Sequence, residues 1–192
     1  MNDAILKLLQ DRYFIDGENS WEDISKRVSI IYPPIESYIK DMWFIPSTPT
    51  LMNAGTDKRS GTLSSCFPMN IEDSIEGIFD ALKECAIVTK AGGGIGISFS
   101  ELRSSQEIIE SLDAKSSGPL AFIENFSSML DSIRQGGKRR GAGMGLLNIY
   151  HPDILEFIKV KNDLTKISRL NLLIQIPSSF YKDLEENPNG TH

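Results

Sequence analysis

The sequence has few cysteines and histidines and no excess of positive charge. Its two cysteines, Cys66 and Cys85, are too few for a disulfide scaffold and lack the paired spacing of a zinc site. Its two histidines, His151 and His192, have no partner at ligand spacing, so we expect no metal site built by this chain alone. The net charge of −6 leaves no overall basic surface for nucleic acid or an anionic membrane.

Long apolar runs are also missing. No stretch of 18 apolar residues occurs, and the first ten residues lack the basic start and apolar run of a signal peptide. The sequence therefore predicts a soluble, cytoplasmic protein without a membrane segment. With 40% hydrophobic and 24% charged residues among 192, the composition is typical of a globular domain with one sizeable core.

The first third of the chain indicates short helices followed by a loop. Ser20 and Asp23 resemble a capping box, and the helix that they open is expected to end near Tyr32, before two prolines. A second short helix is expected over 36–43. The range 41–61, which contains further prolines and a glycine, is interpreted as a long loop.

From residue 63 onward the pattern alternates between strands and helices. Asp73, Gly118 and His151 each open a predicted helix, and the first of these helices carries apolar residues at helical spacing from Ile75 to Ala86. Proline after Gly118 suits a first helical turn. This order favours parallel βαβ units with one edge that a partner or further chain covers. Strands are predicted over residues 63–67, 95–99, 146–150 and 172–176.

Two glycine-rich loops are candidate ligand sites. The range 135–145 has five glycines around three adjacent cations, a composition suited to phosphate, although it lacks the order of a P-loop. A surface turn with solvated charges explains this range about as well. The range 91–96 precedes a strand instead of opening a helix, so it is not a dinucleotide fingerprint. A tight turn is the simpler explanation there.

The two cysteines receive different interpretations. Cys66 lies near the end of a predicted strand, where α/β folds often carry functional groups, but a redox role needs a second thiol. Inert packing is the more common fate of a lone cysteine. Cys85 lies one position off the apolar stripe of its helix and is expected to pack in or near the core. From the residues alone, the sequence predicts an α/β protein and supports binding of a phosphorylated ligand, and it indicates no reaction.

Six segments, taken in order, resemble the catalytic subunit of ribonucleotide reductases. The resemblance runs from about Arg12 to the end of the chain. It implies the N-terminal half of a ten-stranded α/β barrel over 46–192, preceded by a helical segment over 1–45. The six segments are STPTLMNAG at 47–55, LSSC at 63–66, EDS at 72–74, GGGIG at 92–96, QGGKRRGA at 135–142 and HPDI at 151–154.

The resemblance also implies roles for individual residues. Cys66 would be one of the two thiols that reduce the ribose 2′ position. Substrate would be contacted by Thr50, Ser64, Ser65, Gly93 and Gly94. A deoxynucleoside triphosphate or ATP effector would be held or reported by Asp73, Arg103, Gln135, Lys138 and Arg139.

Cofactors and partners follow from the same resemblance. The form of the segments at Gly92, Lys138 and Asp11 looks most like the adenosylcobalamin-dependent branch (class II), and the metal-radical branch (class I) is the alternative. The cobalamin contacts, the radical-bearing cysteine and the disulfide partner of Cys66 would lie in a remaining C-terminal half. The chain alone is therefore predicted to be inactive.

A thioredoxin-like protein would supply the external dithiol, and a homodimer would form through the effector-site helices. No nucleic acid or membrane partner is expected. A non-catalytic nucleotide-binding or regulatory remnant of a reductase is the second hypothesis. The range 104–117 departs from the family pattern because it has no glycine.

Overall fold

A computed structural model describes residues 2–57, 61–109, 113–135, 139–163 and 165–187 of the chain. For residues 134, 135, 139 and 140 it describes the backbone alone. Lys138 lies outside the described residues. The secondary structure combines helices with a parallel sheet, as the sequence predicted.

Four short helices form the N-terminal part of the fold. The capping box is confirmed, because the Ser20 hydroxyl accepts from Asp23 N while the Asp23 carboxylate accepts from Ser20 N. The helix that it opens ends at Val28 and passes into two short 3₁₀ turns before the next helix. The four helices are α1 (Asp3–Arg12), α2 (Trp21–Val28), α3 (Glu36–Lys40) and α4 (Thr48–Asn53).

Helix α4 corrects the interpretation of 41–61 as one long loop. Pro49 lies in its first turn, where the missing N–H group leaves no helical hydrogen bond unmade. Leu51 and Ala54 are buried against α1, α2 and α3. The proline-rich sequence hides this short helix because its stability comes from burial. The domain boundary expected between residues 45 and 46 stays a prediction. Helix α4 follows that boundary in sequence but packs onto the helical segment that precedes it.

The rest of the described chain builds a four-stranded parallel sheet with crossover helices, in the order β1-β2-β7-β8. This confirms the predicted parallel βαβ arrangement. The sheet strands are β1 (Cys66–Met69), β2 (Gly94–Ser98), β7 (Gly143–Asn148) and β8 (Leu170–Gln175). Two hairpins of two-residue strands, β3 (Ile108–Ile109) with β4 (Ala114–Lys115) and β5 (Arg134–Gln135) with β6 (Arg139–Arg140), lie in the connections. The helices are α5 (Ile75–Lys90), α6 (Gly118–Ser132), α7 (Ile154–Lys159) and α8 (Ser178–Glu186).

Strand β7 begins inside the range that was interpreted as a glycine-rich loop. Gly143 pairs with Ile95 on one side and Leu170 on the other, and a Cβ at Gly143 would lie 2.8 Å from the Ile95 side chain. The glycine therefore permits close packing on the helix-covered face of the sheet. Sequence patterns read glycine as a loop signal, so they placed the start of this strand too late.

Helix α5 has the expected position but differs in its cap and its buried face. Ser74, and not Asp73, is the N-cap, because its hydroxyl accepts from Gly77 N at 2.9 Å. Ile75 and Phe79 were expected on the apolar face, yet they are 59% and 50% exposed. The helix buries the next face around, which includes Ile78, Ala81, Cys85 and Thr89.

One face of the sheet carries the main core. Ile95, Ile97 and Phe99 alternate along β2 and pack against α5 and α6, with the Phe99 and Phe126 rings edge to face at 5.4 Å. The second face is open to solvent among the described residues. Met144 and Leu173, which lie on that face, are 42% and 45% exposed.

A buried ion pair fastens the N-terminal helices to one another. Arg27 Nε donates to Glu18 Oε1 at 2.6 Å, and both side chains are below a tenth exposed. The same guanidinium donates to the carbonyls of Ala54 at 2.8 Å and Leu51 at 3.1 Å, at the C-terminal end of α4. Arg27 therefore fixes the position of α4 relative to α2.

We expect Arg27→Ala to lower the free energy of unfolding by about 3–5 kcal/mol, because it leaves the buried Glu18 carboxylate without its partner. Lys26→Ala is the matched control, since Lys26 is the neighbouring cation on the exposed side of α2. Urea unfolding followed by circular dichroism measures both. Equal midpoints for the two variants would show that the ion pair does not hold the helical segment together.

Candidate functional site

Cys66 is the first residue of β1 and lies on the open face of the sheet. It pairs with Gly94 of β2, and its side chain is exposed. The strand predicted over 63–67 placed this cysteine near the strand's end, whereas the strand begins there. The carbonyls of the earlier residues Thr62 and Leu63 accept from side chains of α4.

Helix α4 holds the segment that enters β1. The Thr50 hydroxyl donates to Leu63 O at 2.8 Å, and the Asn53 amide donates to Thr62 O at 2.8 Å. These two bonds place Ser64 and Ser65, which are exposed, directly before Cys66. The three residues therefore present two hydroxyls and a thiol along one short segment.

The turn between α5 and β2 lies beside Ser65 and Cys66 at the same edge of the sheet. Gly92 has a φ of +99°, which favours glycine, and Gly94 N donates to Ser65 O at 2.7 Å. A Cβ at Gly93 would lie 2.7 Å from the Phe67 ring. The structure thus brings together the residues predicted to bind substrate around Cys66. Their roles stay predictions.

Cys85 is a different kind of cysteine. It is fully buried in the main core, as expected, and burial raises the pKa of its thiol to about 12, with a smaller contribution from the charge of Glu84. The neutral thiol is therefore the stable form at neutral pH. Its contribution to stability is present below the unfolded pKa of about 8.5 and is lost as the pH rises through about 12.

Asp73 and Arg103 form an ion pair beyond the carboxyl ends of β1 and β2. Arg103 Nε donates to Asp73 Oδ2 at 2.7 Å, and Arg103 N donates to Asp73 Oδ1 at 3.2 Å. Both side chains are about one-third exposed, at 37% and 33%. Because all four strands are parallel, this pair lies at the sheet edge opposite Cys66.

Gln135 and Arg139, which were also predicted to contact an effector, lie in a separate hairpin. The backbones of Gln135 and Arg139 pair in the β5–β6 hairpin, whose base is closed by a bond from Gly141 N to Ile133 O at 3.2 Å. This hairpin follows α6 and leads into the amino end of β7. The described residues that were predicted to contact an effector therefore lie at two separate places, the Asp73–Arg103 pair and the β5–β6 hairpin. Their shared role stays a prediction.

Three residues that organise these edges were not identified from the sequence. Arg27 fixes α4, and His151 and Asp153 bind the segment that carries Arg103. The segment HPDI, which contains the last two, was noted as a family motif and as the start of a predicted helix. Buried polar residues of this kind show no periodicity, so only a motif could have pointed to them.

Within the described ranges, no three His, Cys, Asp or Glu side chains are grouped so that they could hold a metal ion. Over the same part of the chain, no helix is long and apolar enough to cross a membrane.

Comparisons with known proteins agree with this geometry. Residues 64–191 match the model of the ribonucleotide reductase barrel domain. A vitamin B12-dependent ribonucleoside-diphosphate reductase of Thermoplasma acidophilum is 45% identical over 153 residues, which are 79% of this chain and 20% of that protein. The large subunit of the Danio rerio ribonucleoside-diphosphate reductase is 37% identical over 161 residues, which are 80% of this chain and 20% of the subunit. The chain spans about a fifth of the length of these relatives.

A solved structure has the same fold. The alpha subunit of the class Id ribonucleotide reductase of Actinobacillus ureae superposes with a TM-score of 0.80, at 24% sequence identity. The superposition covers 96% of this chain and 35% of that subunit. The helical segment and the parallel sheet are therefore both part of an architecture already known in a longer protein.

We expect Gly93→Ala to lower the free energy of unfolding by about 1–3 kcal/mol, because the added methyl group overlaps the Phe67 ring and the Val88 side chain. Gly96→Ala is the matched control, since no atom lies within 4 Å of the Cβ that it would add. Urea unfolding compares the two variants. A loss of stability in Gly96→Ala as large as that in Gly93→Ala would contradict the packing described for the turn.

The two thiols should react at very different rates with a thiol-specific reagent at pH 8. Cys66 is exposed and should react in the native protein, whereas Cys85 should react only after unfolding, because burial keeps its thiol protonated. Absorbance of the released reagent group counts the thiols before and after addition of urea. Cys66→Ser should show no fast-reacting thiol, and a fast thiol in that variant would disprove the burial of Cys85.

Proposed function

The chain belongs to the ribonucleotide reductase family, and from this we propose that it supplies the first half of a reductase barrel that converts ribonucleotides to deoxyribonucleotides. The observation that carries the proposal is the exposed Cys66 thiol on the open face of the sheet, between the Ser64–Ser65 segment and the turn at Gly93 and Gly94. A parallel sheet is normally covered on both faces. The open face is where a substrate and the remaining part of a barrel would lie.

The substrate contacts are assigned to groups that this edge presents. The hydroxyls of Ser64 and Ser65 are exposed, and Gly94, which pairs with Cys66, has no side chain to keep a phosphate or ribose at a distance. Thr50 anchors the segment by donating to Leu63 O. Hydroxyls and backbone amides are donors suited to phosphate and ribose oxygens.

Cys66 takes the role of one reducing thiol. In the net reaction two thiols each lose one hydrogen atom and join as a disulfide, the 2′ C–O bond of the ribose is replaced by C–H, and the oxygen leaves as water. The second thiol has to come from another part of the protein, because Cys85 is buried and stays protonated. An external dithiol, such as a thioredoxin-like protein, then restores both thiols.

The radical that starts the reaction is assigned to adenosylcobalamin, because the name of the Thermoplasma acidophilum relative describes that reductase as dependent on vitamin B12. When bound, it supplies an organic radical by homolysis of its cobalt–carbon bond. The described residues offer no metal-ligand cluster, and the contacts of this cofactor are assigned to the rest of the protein. A class I subunit is the second candidate, which the similarity to the Danio rerio large subunit favours.

The Asp73–Arg103 pair is proposed to hold a deoxynucleoside triphosphate or ATP effector. About a third of each side chain is exposed, so the guanidinium is accessible to a nucleotide phosphate or base. Gln135, Lys138 and Arg139 would report the bound base to the substrate edge. Ile75, Phe79 and Ile87 are exposed along α5, which supports a homodimer formed through this helix layer.

Reconstitution tests the proposal. The chain is mixed with the C-terminal part of the Thermoplasma acidophilum relative, adenosylcobalamin and dithiothreitol, and the conversion of ribonucleotides is followed by chromatography. We expect turnover with both parts and none with the chain alone, because one exposed thiol cannot form the required disulfide. Both di- and triphosphates are supplied as substrates.

Cys66→Ser should abolish this turnover, and Cys85→Ala is the matched control that should retain it. Turnover by the isolated chain would refute the need for a second half. Turnover by the Cys66→Ser variant would show that the Cys66 thiol takes no part in the reaction. Nucleotide binding without turnover in the reconstituted mixture would favour the non-catalytic, regulatory alternative.

A further inference from the structure

The turn after β7 is tied to the segment that carries Arg103. His151 Nδ1 accepts from Asp153 N at 3.0 Å, so the ring proton lies on Nε2, which donates to Leu102 O at 2.9 Å. His151 is buried. The imidazole therefore closes its own turn by accepting at Nδ1, and it donates from Nε2 to the distant Leu102 carbonyl.

Asp153 makes a second attachment to the same segment. Its carboxylate accepts from Ser105 N at 2.8 Å and from the Ser105 hydroxyl at 2.7 Å, and it too is buried. A Cβ at Gly118 would lie 2.9 Å from Asp153 Oδ2, so the start of α6 closes the remaining side. The carboxylate is thus held in one orientation by its surroundings.

Arg103 lies between these two attachment points. The bond from His151 fixes residue 102, and the bonds from Asp153 fix residue 105. Arg103 in turn donates to Asp73 through both its backbone N and its side chain. The segment between β2 and β3 has no regular secondary structure. Because no backbone hydrogen bonds of a helix or sheet hold it there, the bonds from His151 and Asp153 restrict its conformation.

We infer that His151 and Asp153 are positioning residues for the Asp73–Arg103 pair, and that together they keep this pair in the geometry that receives a nucleotide. The inference rests on the proposed effector site. A segment that is already ordered does not lose further conformational freedom when the nucleotide binds. Loosening it lowers the affinity without removing any group that touches the ligand.

The two functions of the imidazole can be separated by substitution. Asn at position 151 keeps an oxygen where Nδ1 accepts from Asp153 N, but it is too short to reach Leu102. Gln at the same position keeps a donor where Nε2 lies and loses the local acceptor. His151→Asn therefore cuts the attachment to residue 102, and His151→Gln is the matched control that retains it.

The experiment measures binding and geometry in the same protein. Each of the four deoxynucleoside triphosphates is titrated with Mg²⁺ into the chain and its variants by calorimetry. The Nε–H resonance of Arg103, which reports the bond to Asp73, is followed by ¹⁵N NMR. We expect His151→Asn to raise Kd about tenfold and to shift this resonance, because a buried carbonyl loses its donor. His151→Gln should remain close to the wild type in both measurements.

Two results would overturn the inference: equal affinity in all three proteins, or the same loss in both variants. If the wild type binds none of the four nucleotides, the proposed effector site fails. The resonance of Arg103 then decides the positioning role by itself, which is sustained if it shifts in His151→Asn alone and overturned otherwise. If His151→Asn does not fold, Ser105→Ala, which removes only the 2.7 Å bond to Asp153, replaces it under the same criteria.

Discussion

Parallel pairing of the four strands is the constraint on which the rest of the structure depends. It gathers the amino ends of β1, β2 and β7 at one edge and their carboxyl ends at the other. Residues that precede strands, such as Ser65 and Gly93, therefore meet around Cys66, while residues that follow strands, such as Asp73 and Arg103, meet far from it. Among the described residues, the crossover helices cover one face of the sheet, and Cys66 lies on the other face, where a ligand can approach.

Local signals in the sequence predicted much of the fold. The capping box at Ser20, the helix opened by Gly118 and the alternation that leads to a parallel sheet are each encoded by a few neighbouring residues. The errors came where tertiary contacts decide: α4 forms because Leu51 is buried, and β7 starts at Gly143 because a neighbouring strand approaches closely. Propensity carries no information about such contacts.

The candidate site could be predicted from the sequence to about the same extent as the fold. Motifs selected residues that the structure brings together around Cys66, but they could not say that the cysteine begins its strand. They also gave no sign of the bonds from Arg27 or His151, since a buried polar group is defined by its partners and not by its neighbours in sequence. The function of the group therefore has to be tested at those partners as well as at the cysteine.

Helices and paired strands join the two edges, and this limits how one edge can affect the other. Helix α5 runs from the Asp73 side to the glycine turn beside Cys66, α6 runs from Gly118 to the β5–β6 hairpin, and β7 runs from that hairpin to His151. For a nucleotide at the Asp73–Arg103 pair to alter the Cys66 edge, some segment must have two arrangements. Packed helices and a paired strand move as bodies, and the His151–Asp153 bonds hold the carboxyl edge still.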